Sequence, residues 1–128
     1  MKKKISTKQA PSPVGPYSQA VWTSCGNLIF ISGQIGIDPK TNKMVEGGIK
    51  EQTNQVMKNI LSILNKQDLT IDHLIRCEVY LTNMEDFNDF NEEYGKFFPQ
   101  DTFPARSAVE VSKLPKGSLI EISAIAGV

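Results

Sequence analysis

Apolar positions along this chain keep two different periods, and the switches between them mark its elements. Leu28-Ile29-Phe30-Ile31 is a short apolar run with Gly26 and Asn27 before it and Gly33 after it. It predicts a buried strand over 23–32. Val21 and Trp22 predict a strand before it, with Ser24-Cys25-Gly26-Asn27 as the hairpin turn. Asp38-Pro39-Lys40-Thr41-Asn42 has the composition of a turn-rich loop. Val56, Ile60, Ile63 and Leu64 then recur at helical spacing and predict a helix over 49–66. Over 75–82 the period drops to two. Cys77, Val79 and Leu81 fall on one face and Arg76, Glu78 and Tyr80 on the other.

Thr82-Asn83-Met84-Glu85 has the form of a capping box and opens a second predicted helix. Its apolar stripe is Phe87, Phe90, Tyr94, Phe97 and Phe98, Asn91 is the odd polar member, and Pro99 ends it. Two more strands follow, 105–111 and 119–126, joined by the turn residues of Leu114-Pro115-Lys116-Gly117-Ser118. Pro11, Pro13, Gly15 and Pro16 exclude a helix from residues 1–18 and predict a fixed, irregular segment. The order strand–strand–helix–strand–helix–strand–strand predicts an α+β sandwich, a single domain over 1–128 with both helices on one sheet face.

The last strand carries more information. Ile120, Ile122, Ala124 and Ala126 make a small apolar face suited to helices. Leu119, Glu121, Ser123 and Ile125 make the other face, too apolar for open solvent, and predict that it meets another subunit.

Composition narrows the classes. Hydrophobic residues are 40% and charged residues 22%, as in an ordinary globule. Basic and acidic residues balance at 14 each, against a nucleic-acid-binding domain. The one basic run, Lys2-Lys3-Lys4, is expected as a solvated terminus. The only cysteines are Cys25 and Cys77, outside any CxxC motif, and His73 is the only histidine, expected in an exposed connector. No transition-metal ligand set is expected. With no signal-like apolar segment at the start, a cytoplasmic location is expected.

Candidate chemistry rests on two charges in mostly small or apolar strand sequence, Arg106 in Phe103-Pro104-Ala105-Arg106-Ser107 and Glu121 in Leu119-Ile120-Glu121-Ile122. A guanidinium fork fits a carboxylate with two parallel bonds. A carboxylate in an apolar strand needs a partner or a task. The pair fits either a pocket for a carboxylate-bearing molecule or a structural ion pair between neighbouring strands.

Five segments in order then identify the chain as resembling the RidA family, also called YjgF or reactive intermediate deaminases. They are Ala10-Pro11 with Gly15-Pro16-Tyr17-Ser18-Gln19-Ala20, Ile31-Ser32-Gly33-Gln34, Phe103-Pro104-Ala105-Arg106-Ser107, Leu114-Pro115-Lys116-Gly117, and Ile120-Glu121-Ile122 with Ala124-Ile125-Ala126. The resemblance implies a chorismate-mutase-like α+β sandwich with a mixed sheet, a homotrimer, and sites between subunits. It implies cofactor-free hydrolysis of enamines and imines, typified by 2-aminoacrylate, to 2-oxo acids and ammonia. It casts Arg106 as the substrate-carboxylate clamp, Glu121 as the carboxylate beside the attacking water, and Tyr17 as an aromatic lid with a catalytic part. Ser32, Gly33, Asn91, Ser107 and Ala108 would complete the substrate-binding set. Family members often carry cysteine where this chain has Ala108, so a thiol nucleophile there is excluded. Tyr17 also fits an anchor for the proline-rich segment, Asn91 a helix-face amide bonded to the backbone, and Gly33 a strand-end turn. A metabolite-sensing regulator and a ribonuclease or translation inhibitor are the rival functions.

Overall fold

The computed structural model describes residues 2–128. Its strands and helices, in chain order, are β1 (Lys2–Ile5), β2 (Ala20–Thr23), β3 (Leu28–Gln34), β4 (Ile37–Asp38), β5 (Lys43–Met44), α1 (Ile49–Asn65), β6 (Leu74–Leu81), α2 (Phe87–Gly95), β7 (Ala105–Glu110) and β8 (Ile120–Gly127). The main sheet runs β3-β8-β6-β7; β6 and β7 are parallel and the other neighbours antiparallel. It is therefore mixed, with α1 and α2 on one side, the predicted α+β sandwich.

The core lies between that side of the sheet and the helices. β8 alternates, with Ile120, Ile122, Ala124 and Ala126 all buried. Cys77, Val79 and Leu81 from β6 bury beside them, under Val56, Met57, Ile60 and Leu64 of α1 and Phe90 and Tyr94 of α2. Gln52, buried in the first turns of α1, accepts the Leu119 amide at 2.8 Å and ties the start of β8 to the helix layer. The opposite side of the sheet is open. Phe30 is 72% exposed there, with Leu28 and Val109 also out.

Several local expectations are corrected. Residues 1–18 are not irregular throughout, because Lys2–Ile5 pairs with Ala20–Thr23. Nor is the basic run a free terminus: Lys2 Nζ donates to the carbonyls of Leu74 and Thr102, and Lys4 pairs with Asp101. The lysine-rich strand is kept at this edge because its backbone pairs, Lys3 and Lys4 stay exposed, and the Lys2 ammonium is satisfied by two carbonyls. β2 therefore does not form a hairpin with β3. The amides of Gly26 and Asn27 donate instead to the Val128 carbonyl. At the second helix the cap is Asn83, not Thr82: its Oδ1 accepts the Glu85 amide at 2.9 Å and opens a 3₁₀ turn before α2. α2 ends at Gly95, and Pro99 starts a separate 3₁₀ turn. His73 is half-buried in a 3₁₀ turn, where its Nδ1 accepts the Thr70 amide.

Candidate functional site

The proline-rich segment is held to the sheet by Ser18. This buried residue donates from its hydroxyl to the Phe103 carbonyl at 2.6 Å and from its amide to the Pro104 carbonyl at 3.2 Å, bridging to Ala105 at the start of β7. Gln19 holds the preceding residues: its amide group donates to the carbonyls of Thr7, Ala10 and Pro11, and its Oε1 accepts the Thr7 amide. The chain that carries Gly15 and Tyr17 is thereby laid against the start of β7, one residue from Arg106.

The Arg106 side chain projects to the helix side. Its guanidinium carbon lies 5.1 Å from the ring centres of Phe90 and Tyr94, 5.3 Å from Tyr17 and 5.8 Å from Phe87. This cage is worth about 0.5–2 kcal/mol per favourable ring. Burial pushes the Arg106 pKa down, yet a guanidinium remains cationic at neutral pH. It has no ion-pair partner among the described residues, and its Nη1 is buried without a hydrogen-bond acceptor. Asn91 Oδ1 is likewise buried without a donor. Gly15 packs over both: a Cβ there would sit 3.1 Å from Asn91 Nδ2 and 3.4 Å from Arg106 Nη2. The fold therefore brings Tyr17, Asn91 and Arg106 together, with Ala108 two residues on along the same side of β7.

Glu121 belongs to a second group. It alternates with buried Ile120 and Ile122, so it projects from the open side, where Tyr80 is its cross-strand neighbour. Its carboxylate rests on the backbone of Gly33. Ser32 is exposed beside it. Ser107 also faces the open side, where its hydroxyl accepts from Arg76 Nη2 at 2.9 Å; Arg76 also holds Glu78. Arg106 and Glu121 are not on neighbouring strands, because β6 runs between β7 and β8. Their registers, Cys77↔Arg106 and Tyr80↔Glu121, put the Cα atoms roughly 14 Å apart, with side chains on opposite faces. A structural ion pair between them within one chain is excluded.

By sequence pattern alone, Phe87, Phe90 and Tyr94 are only a core stripe. Their second role, as the platform under Arg106, follows from the parallel β6–α2–β7 connection, which lays α2 across the strand carrying the arginine. The helix stripe signals burial and nothing more.

Beneath the cage, Tyr94 lies beside the fully buried Cys77 thiol. Burial pushes the Cys77 pKa up to about 11, against smaller opposing pulls from the Tyr94 hydroxyl and Arg106. A neutral thiol at that depth is no nucleophile. Because the folded value exceeds the ordinary 9.0, the folded form holds its proton longer than the unfolded chain. Its contribution to stability is complete below about pH 9 and lost as pH rises towards 11, about 2–3 kcal/mol in all. Tyr94, whose pKa burial raises well above 10.0, adds to the loss at higher pH. Chemical denaturation at pH 8 and pH 10.5 is expected to show this decline, and Cys77→Ala is expected to flatten its first part.

Among the described residues no group of three or more His, Cys, Asp or Glu is placed to hold a metal, and no helix is long and apolar enough to cross a membrane.

Comparison with known proteins agrees with this architecture. The family model described as Endoribonuclease L-PSP matches residues 7–128. A RutC family protein of Pyrococcus horikoshii is 52% identical over 126 residues, covering 98% of each chain. The human 2-iminobutanoate/2-iminopropanoate deaminase is 45% identical over 122 residues, covering 95% of this chain and 87% of its own. Among solved structures, a Yersinia pestis member of the conserved Rid protein family is 45% identical with a TM-score of 0.77, both chains being covered completely. A sheet with two helices on one face, and family segments spread from Tyr17 to Glu121, are thus accounted for together: this chain belongs to the YjgF/RidA family.

Proposed function

We propose that this protein hydrolyses 2-imino acids and their enamine tautomers, 2-aminoacrylate among them, to 2-oxo acids and ammonia without a cofactor. The observation that carries the reading is Arg106: a half-buried cation with no counter-ion among the described residues and a buried Nη1 that donates to nothing. An uncompensated buried donor is costly, and a native protein retains one where a ligand completes it. A carboxylate completes a guanidinium best, through two parallel charge-assisted bonds. Asn91 Oδ1, an acceptor without a donor packed under the same glycine, suits the N–H that an imino acid carries next to its carboxylate. The human and mouse relatives named as 2-iminobutanoate/2-iminopropanoate deaminases, 45% and 43% identical, fit that ligand.

With the carboxylate clamped, water adds to the imine carbon. Glu121 takes a proton from the water and passes it to the nitrogen, giving the carbinolamine, and then moves the carbinolamine's hydroxyl proton to the same nitrogen. The C–N bond then breaks, ammonia leaves and the carbonyl forms. This needs Glu121 beside the substrate, which its own chain does not allow. Assembly of copies through the open face supplies it, one subunit giving Tyr17, Asn91 and Arg106 and the next giving Gly33 and Glu121. Phe30, Leu28 and Val109 give that face the apolar surface an interface needs, and a homotrimer is the assembly we assign.

The test is release of ammonia and 2-oxo acid from an enamine generated in situ. The protein is expected to accelerate it clearly over buffer; no acceleration would sink the reading. A regulator would bind 2-oxo acids without turnover. A ribonuclease would cleave RNA while leaving the imine untouched, and the balance of 14 basic and 14 acidic residues speaks against it.

A further inference from the structure

Gly33 lies inside β3 at an irregularity in its ladder with β8. Ile31 pairs with Ala124 and Gln34 with Ile122, so Ser32 and Gly33 together stand opposite Ser123. Such a bulge re-aims one strand against its neighbour. Glycine is not required there by the backbone: among the described residues only Gly47 and Gly117 of the glycines have positive φ. Nor is it required by core packing, since the position is exposed. What excludes a side chain is Glu121. A Cβ at position 33 would lie 2.7 Å from Glu121 Cδ and 3.0 Å from Cγ, and closer still to Oε2; the three nearest atoms all belong to this one residue.

We infer that Gly33 is a positioning residue for Glu121, its missing side chain leaving the bulge open so that the carboxylate lies flat on the β3 backbone in its working orientation. This is a role apart from any contact of the Gly33 amide with substrate, and as a statement about catalysis it rests on the imine-hydrolase reading. The steric exclusion at position 33 holds whatever the substrate is. A methyl at position 33 meets the far end of a flexible side chain, so the carboxylate swings away while the strand stays paired. Misplacing a proton-handling group by about 1 Å costs roughly 10²-fold.

Gly33→Ala in the full-length assembled protein tests this with three readouts. The thermal midpoint is expected to stay near wild type, kcat for imine hydrolysis to fall roughly 10²-fold, and KM to stay within about twofold because Arg106 is untouched. The carboxyl carbon resonance of Glu121 is expected to move, whether or not the imine is the substrate. A folded variant with wild-type kcat and an unmoved resonance would overturn the inference. If Gly33→Ala is instead destabilised, the substitution is repeated in a Glu121→Ala background. Loss of the penalty there supports steric pressure on Glu121, and its persistence overturns the inference. Should wild type itself fail to hydrolyse imines, the functional reading falls alone, and the resonance and the stability cycle still judge the placement of Glu121.

Discussion

Arg106→Ala is expected to remove most turnover while leaving a folded, assembled protein. Two charge-assisted bonds to a carboxylate contribute about 3–6 kcal/mol together. Their loss lowers kcat/KM roughly 10²–10⁴-fold. The fold is expected to tolerate the change because the arginine has no ion-pair partner among the described residues. Removing a half-buried, uncompensated cation offsets the stacking lost from Tyr17, Phe87, Phe90 and Tyr94. Arg106→Lys keeps the charge but not the planar fork, and is expected to fall nearer to alanine than to wild type. Steady-state kinetics beside a thermal melt check both halves of the expectation. Wild-type turnover in folded Arg106→Ala would return the guanidinium to a packing role.

Glu121→Gln is expected to lower kcat roughly 10²–10⁴-fold, the range for a lost general acid–base group. The amide keeps the shape but cannot cycle a proton. A 2-oxo acid analogue should still bind, since the clamp is untouched, and titration calorimetry checks that. The same two variants test where the site is built. Arg106→Ala and Glu121→Gln are each expected to be nearly inactive alone. Unfolded and refolded as an equal mixture, they should regain up to roughly a quarter of wild-type activity, the share of interfaces that join an intact arginine to an intact glutamate. No recovery in proven mixed assemblies would mean that both groups act from one chain, against the 14 Å or so and the opposite faces that the strand registers give them.

The layer structure was legible because alternation and helical spacing report burial directly: Cys77, Val79 and Leu81, then Ile120, Ile122 and Ala124, fall where the pattern puts them. The family resemblance assigned roles to Tyr17, Asn91 and Arg106, and these three do meet. Pairing partners were less legible. Nothing in Lys2-Lys3-Lys4 signals a strand, because three successive lysines at a sheet edge carry no apolar period. The cap moved from Thr82 to Asn83 because a 3₁₀ turn precedes α2, which a four-residue motif does not encode. The separation of Arg106 from Glu121 was hidden for another reason. Each was recognised by its neighbours in sequence, whereas the face it occupies depends on which strand lies between.

The alternation of β8 gives the chain a form of quality control. Side chains on a strand change sides with each residue, so a slip of one position would bury Glu121 among the helices and turn Ile120 and Ile122 outward. The error that misplaces the acid is therefore the error that dismantles the core. A molecule with this defect would not persist as a well-folded but idle copy able to enter an assembly and spoil its neighbours' sites; it would be left unfolded and open to degradation.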